Sequence, residues 1–553
     1  MKKSVLSLVI SIMLLITMIP LSSISVFAAA TDITSKFTDP YFLSAVYKAI
    51  GKTSPAPIYD IDVAGITSLD VHRQCISSLN GIEYFTSLTT LSCGGNLLGE
   101  LNVSRNTALA SLNCIGNELT NLDVSQNTAL KILYCSSCNL TNLDVSKNIN
   151  LTYFDCSINK LIELDLSKNT ALTYLDCGYN KLSKLDLSQN TALTNLGCYK
   201  NQLSKLDLSQ NAALTDLDCN NNQLSKLDLS QNTSLTKLYC YKNQLSKLDL
   251  SQNTVLTDLD CNYNQLTELD INNSVTLTNL KCYGNHLTKL DVSNNVALTD
   301  LNCYDNPLTV LDVSNNVFLA ELNCNGNQLT ELDVSKNVVL TELDCCENQL
   351  KELDVSKNNT LTVLWCILNQ LTELDVRKNA VLTELRCGEN QLKELDVSKN
   401  IALTVLNCNN NQLAELNVGN NVALDYLECT SNLLLGLDVS KNSKLIYLDC
   451  SKNYIPDISY VPGIELIPTR TKTDGWDTHG SYTFFPQNSF QKLSGDANLD
   501  GNVNIKDATI IQKYLVEMVS LSSFGLINAD SNNDGVVNLK DATIIQKWLA
   551  KIA

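Results

Sequence analysis

Eighteen cysteines of this 553-residue chain fall on one unbroken 21-residue period, from Cys93, Cys114, Cys135 and Cys156 through to Cys450. Of the 21 cysteines, only Cys75, Cys138 and Cys346 lie off it. Disulfide frameworks space cysteines irregularly around loops, whereas a fixed period puts each cysteine in the same slot of a repeated unit. One unit, Leu172 to Ala192, reads LTYLDCGYNKLSKLDLSQNTA, and its neighbours follow LxxLxCxxNxLxxLD(V/L)SxNxx. A coil of this length cannot bury its own leucines, so coils must stack and each must cover the next.

Within the unit, LTYLDC alternates with Leu175 and Cys177 inward and Tyr174 and Asp176 outward, the pattern of a short parallel strand. KLDL repeats the alternation with Leu185 and Leu187 inward and Lys184 and Asp186 outward. The expectation is a mostly β solenoid with two short strands per 21-residue coil. Asn180 heads a column three residues after each cysteine, where an inward amide can satisfy backbone groups at a turn. Cys138 replaces that Asn once, Phe154 replaces a core Leu, and Ser274 interrupts a second Asn column represented by Asn190. This pattern resembles the leucine-rich repeat family, in a bacterial class with Cys in place of a Leu, over about residues 66–460.

Neighbouring coils stand about 4.8 Å apart, which admits disulfides by Cα spacing. In-register side chains hold their Cβ atoms near that same spacing, long for a bridge, so we read the column as buried free thiols acting as small apolar fillers. An exported chain with so many free thiols fits an anaerobic habitat.

Export is expected from the first thirty residues. Lys2 and Lys3, the apolar run Val5 to Ile19 ending at Pro20, and the small-residue site Val26-Phe27-Ala28 read as a cleaved signal peptide. No second apolar run of spanning length follows. The formal charge is −18, and −20 once Lys2 and Lys3 are lost with the leader, which disfavours nucleic acid and anionic membranes as partners.

Residues 31–65 read as a helical N-terminal cap, with Asp39 before Pro40 and an apolar helical face from Tyr41 to Tyr47. The cap resembles that of internalin-like repeat proteins. The segment from Ser68-Leu69-Asp70-Val71 to Gly81-Ile82-Glu83-Tyr84-Phe85 is a divergent first unit. From Pro456 the period is lost, and residues 461–494 read as a C-terminal cap and linker.

Residues 495–553 carry the strongest chemistry. Asp496, Asn498, Asp500, Gly501, Asn502 and Asp507 match a twelve-position calcium loop, and Asp530, Asn532, Asp534, Gly535, Val536 and Asp541 match a second. Ca²⁺ takes six to eight hard oxygens, which such Asp and Asn side chains and the backbone carbonyls of Asn502 and Val536 can supply. Each loop precedes a near-identical helix, DATIIQKYL or DATIIQKWL. The duplicated loop-then-helix unit resembles a type I dockerin, a small all-α domain. That resemblance implies two Ca²⁺ ions, a cohesin module of a scaffoldin as partner, and an extracellular cellulosome-type complex devoted to polysaccharide breakdown. It also assigns cohesin-facing roles to Ile505, Lys506, Gln512 and Lys513 and to Leu539, Lys540, Gln546 and Lys547. The pair Ile505-Lys506 departs from the two hydroxyl residues common in the family.

No segment remains for a catalytic domain. His72, His286 and His479 form no triad or zinc spacing. Carboxylate pairs such as Glu331/Asp333, Glu352/Asp354 and Glu373/Asp375 recur beside Lys336, Lys357 and Lys378 as a solvated, charge-mixed stripe. We therefore expect no enzyme. The candidate ligand surface is the outward face of the first strand and the turn after it, with Tyr199, Tyr241, Tyr283 and Tyr304 as leading residues. At Val363, Trp365, Ile367 and Leu368 apolar side chains stand where other units carry polar ones. Two functions fit: recognition of a protein ligand, favoured, or of a polysaccharide stacking on the tyrosines.

Overall fold

A computed structural model describes residues 30–467, 481–485, 487–488, 493–499, 502–521 and 523–551. The leader up to residue 29, His479, and Asp500 and Gly501 of the first calcium loop lie outside them. The chain divides into two compact units, residues 1–169 and 170–553. Both are built from the same coil of a parallel β-solenoid.

The first unit opens with helix α1 (Pro40–Ile50) and the short α2 (Asp60–Ala64). Asp39 caps α1, its Oδ1 accepting from the Tyr41 and Phe42 amides at 2.9 and 3.0 Å. Its Oδ2 accepts from the Ser77 amide and hydroxyl at 2.8 and 2.7 Å, tying the helix to the first repeat. Phe37, Phe42 and Phe85 meet behind that tie, with ring centroids 5.7 to 6.5 Å apart. The helix thus covers the apolar end that the first coil would otherwise expose. Five three-residue strands follow, from Ser68–Asp70 to Tyr153–Asp155, pairing in parallel so that Leu69, Leu91, Leu112, Leu133 and Phe154 lie in one buried row.

In the second unit one strand per coil runs from Tyr174–Asp176 to Tyr447–Asp449, each with its central Leu buried and its flanks outward. Register is strict: Leu175 opposes Leu196, and Leu196 opposes Leu217. A residue filling the same slot in every coil keeps that register, because a slip by one would turn the Leu row to solvent. Each Leu so buried contributes roughly 1.5–3 kcal/mol. A strand at Ser481–Thr483 pairs with Tyr447–Asp449 and ends the stack. There Gln487 stands in for the missing next Asn, its Nε2 donating to the Cys450 carbonyl at 3.0 Å.

The cysteines of the period are buried, and no disulfide joins any of the 21. Burial pushes the thiols of Cys93, Cys303 and Cys387 up to about 12. The Asn columns work as expected. Asn201 Nδ2 donates to the carbonyls of Cys177 and Cys198 at 3.0 and 3.1 Å, and its Oδ1 accepts from Leu182 at 2.9 Å. One amide therefore bridges two coils. In the second column Asn211 Nδ2 donates to Leu187 and Asn190 carbonyls at 3.2 and 2.9 Å. Ser274 keeps a bond to Asn253 at 3.2 Å, and Cys138 keeps one from Sγ to the Cys114 carbonyl at 3.1 Å.

One expectation needs correction. The KLDL segment buries Leu185 and Leu187 and exposes Lys184 and Asp186, but it forms no strand; the solenoid has one strand per coil, not two. The reason is local. Asp186 Oδ1 accepts from the Ser188 amide at 2.9 Å, an Asx turn that bends the chain two residues on. The same turn recurs at Asp207, Asp228, Asp249 and Asp333. Inter-coil backbone pairing there is sparse among the described residues: the isolated bridge Asn102–Asp123, and near the end of the stack the Leu437 and Val439 amides donating to the Tyr460 and Pro462 carbonyls at 2.9 Å.

After the solenoid come helices α3 (Ile505–Leu515), α4 (Ser523–Ala529) and α5 (Leu539–Ala550). Their core is small: Ala497, Ala508, Ile511, Ala529, Ala542 and Ile545. Ala508 and Ile511 repeat as Ala542 and Ile545, so α3 and α5 bury equivalent faces.

Candidate functional site

The described parts of the two loops before α3 and α5 make matching bonds to Asp507 and Asp541. In the second, Asp530 accepts from the Asp534 and Gly535 amides at 3.1 and 3.0 Å. Asn532 Oδ1 accepts from the Asp534 amide at 2.8 Å, and Asp534 Oδ1 from Val536 at 3.0 Å. Gly535 takes φ 83°, where a Cβ would be strained. Asp541 is fully buried, accepting from Ser531 and Asn538 amides at 3.0 and 2.9 Å. In the first loop Asp507 is equally buried and accepts from the Asn498 and Asn504 amides at 3.1 and 2.8 Å, and Asp496 is buried as well. The side chains of Asn498 and Asn538 are half-buried, and Asn502 is exposed.

The donor set is all hard oxygen, the chemistry Ca²⁺ requires. Among the described residues no three His, Cys, Asp or Glu side chains come together closely enough to hold a metal. The loop carboxylates are turned toward backbone amides, and Asn side chains and carbonyls make up much of the proposed shell.

The described loops and helices coincide with the family model of the dockerin type I domain, which matches residues 494–550. The solenoid is similar to the functional domain of InlJ from Listeria monocytogenes, a structure said to include a cysteine ladder. The two are 34% identical, with a TM-score of 0.51, over 77% of this chain and 84% of that one. The chain is an internalin-like leucine-rich repeat protein with a C-terminal type I dockerin domain. Internalin J of Listeria monocytogenes is 39% identical over 71 residues, which is 13% of this chain and 8% of that protein. A leucine-rich repeat protein of Leptospira interrogans is 26% identical, with a TM-score of 0.56, over 60% of this chain and 92% of that one.

Type I dockerins bind calcium and cohesins, and neither family is typically catalytic. Of the dockerin residues assigned to cohesin, Ile505, Lys506, Lys513, Leu539, Lys540, Gln546 and Lys547 are exposed and Gln512 is half-buried. Ile505 and Leu539 are 58% and 61% exposed at the first turns of α3 and α5, equivalent apolar points on two equivalent helices.

On the solenoid, Tyr283 and Tyr304 stack with centroids 4.4 Å apart at 16°. Tyr263 meets Tyr283 edge-on at 5.2 Å, and its hydroxyl lies 2.8 Å from that of Tyr304. Tyr241 is half-buried two coils earlier. Tyr199 lies over Gly178, where any Cβ would collide with its ring. Trp365 and Ile367 are half-buried, and Trp365 is held by two neighbours: its Nε1 donates to Glu384 at 3.0 Å, and the Arg386 guanidinium lies 5.6 Å from its ring. His72 bonds Asp70 at 2.7 Å, an exposed surface pair.

The reading from residue types passed over Asp218 and Asp260. Both sit beside the tyrosines, and each is held by an Asn two residues on, Asn220 or Asn262. Burial pushes both carboxyls up, Asp260 to about 6. A signal was present, since DLDCN occurs at both 216–220 and 258–262.

Proposed function

We propose that this protein is a secreted, non-catalytic binding component, tethered by its dockerin to a cohesin on a scaffoldin while the solenoid recognises a protein ligand. Two Ca²⁺ ions, one in each loop, would order the dockerin; Asp496, Asn498, Asp500, Asn502 and Asp507 would hold the first, and Asp530, Asn532, Asp534, Val536 and Asp541 the second. The observation that carries the reading is the dockerin match at residues 494–550 on a chain whose other described length is repeat solenoid with a helical N-terminal cap. The packed tyrosines at 263–304 and the braced Trp365 support a ligand face on the strands, since clustered aromatics beside polar groups are the usual makings of a protein contact.

A polysaccharide ligand is the second reading, favoured by the near-parallel Tyr283–Tyr304 stack and by a second one, Tyr426–Tyr447, at 4.4 Å and 8°. Two measurements test the proposal. Capture of the full chain on an immobilised cohesin should be lost in EGTA and restored by Ca²⁺. Electrophoresis through gels containing soluble plant polysaccharides should show no retardation; clear retardation abolished by Tyr283→Ala moves the function to the second reading.

A further inference from the structure

We infer that the strand face around Asp218, Asp260 and the Tyr263–Tyr304 cluster binds a lysine- or arginine-bearing segment of the partner protein. The inference rests on the protein-ligand reading and names the chemistry of that ligand.

From the strand Asp216–Asp218 to the strand Glu342–Asp344 the outward positions carry eight carboxylates and two lysines, an excess of six negative charges (8 − 2 = 6). These side chains project from one sheet face in strict register, about 4.8 Å from coil to coil; Asp300, Glu321 and Glu342 stand in consecutive coils, while Asp218 and Asp260 flank Tyr239. Asp216 has Lys237 at 4.0 Å and Lys281 stands beside Asp260 in register, but among the described residues no cation lies within salt-bridge distance of Asp218 or Asp260. Both carboxylates are part-buried and held by amide donors from Asn220 and Asn262. The face therefore holds carboxylates in excess of cations in a partly desolvated setting, where an incoming ammonium or guanidinium gains most.

The aromatic side fits the same ligand. Tyr239 stands between Asp218 and Asp260 in register, and the Tyr283–Tyr304 stack offers flat area for an alkyl stem or a guanidinium plane. The chain already shows this contact on itself, with Lys242 Nζ 5.6 Å from the Tyr263 ring and Lys200 Nζ 4.9 Å from Tyr179. A neutral glycan would use the stack but would not offset the carboxylate excess.

The test is binding of fluorescein-labelled hexalysine to the full chain by anisotropy, with its fully acetylated form as the uncharged control. Hexalysine should bind and the acetylated peptide should not. The Asp218→Asn/Asp260→Asn pair and Tyr283→Ala should each weaken binding about tenfold, a change of ~1.4 kcal/mol. A second pair, Asp207→Asn/Asp228→Asn, removes the same charge from the Asx turns and should leave binding unchanged. Equal weakening by the two pairs, or no lysine-dependent binding, overturns the inference. A protein ligand whose capture is lost in Tyr283→Ala but kept in Asp218→Asn/Asp260→Asn would sink the cationic partner and leave the protein reading standing. A neutral polysaccharide that competes for the face would sink both.

Discussion

A cysteine in this solenoid is defined by its slot more than by its chemistry. Each ladder thiol ends a strand, faces inward and is flanked above and below by another, yet parallel side chains at inter-coil spacing do not meet at bridging distance. Burial removes both the thiolate and access to it. We therefore expect a thiol reagent at pH 8 to label Cys75, the exposed cysteine, rapidly in the native protein, and all 21 cysteines in denaturant. Oxidised ladder pairs, seen as fewer thiols in denaturant without reductant, would contradict this. The Asn column is the stricter requirement. Asn243 Nδ2 serves the carbonyls of Cys219 and Cys240, and its Oδ1 serves the Leu224 amide at 3.0 Å. Asn243→Ala should cost about 2–3 kcal/mol in urea unfolding, since it strands a buried N–H. Asn243→Cys should cost less, because Cys138 shows that a thiol there can still reach a carbonyl.

At the scale of the coil, the turns decide what the strands do not. Three residues past the end of each strand the chain takes a left-handed residue, among them Tyr179 at φ 52°, Lys200 at 49° and Lys242 at 52°. The tyrosines and lysines that reach across the face are set by that turn. A β-branched residue is poorly tolerated in this region, so Lys242→Val should destabilise the solenoid by ~1–2 kcal/mol relative to Lys242→Gly. The opposite corner is closed by the Asp–Ser turn. In Asp207, Asp228 and Asp249 the backbone amide of the following Ser holds the carboxyl below its ordinary range, and in Asp375 the Arg377 guanidinium holds it at about 2. A depressed carboxyl stabilises the fold above its unfolded pKa and ceases to do so as pH falls through its folded value. The melting temperature should therefore drop as pH falls from about 4 toward 2, and Asp→Asn changes in several coils should flatten that drop.

The whole molecule joins two kinds of stability. The solenoid buries a continuous Leu row that needs no ligand. The dockerin has a six-residue core of four Ala and two Ile, too little apolar area to hold three helices firmly on its own. Its loops concentrate carboxylates that repel one another until a cation is bound. Thermal unfolding followed by circular dichroism should accordingly show two transitions. EGTA should lower the dockerin transition and leave the solenoid transition where it is. Asp507→Ala and Asp541→Ala together should reproduce the EGTA result in the presence of Ca²⁺.

Much of this was legible in the sequence because a repeat states its own constraints many times. The period located the Leu row, the thiol ladder and both Asn columns, and the duplicated DATIIQK helices with their Asp- and Asn-rich loops marked the dockerin. Alternation of burial at Leu185 and Leu187 was equally legible, but strand formation was not, because hydrogen bonding between coils depends on where the Asp186 side chain bonds. Ligand-face geometry was hidden for a similar reason. Residues two coils apart, such as Asp218 and Asp260 or Tyr263 and Tyr304, come to share a face only because parallel stacking returns positions 42 or 41 residues apart in the chain to the same side. Local pattern determined what each coil is; only stacking decided which side chains share a surface, because parallel register returns the same slot of every coil to the same face.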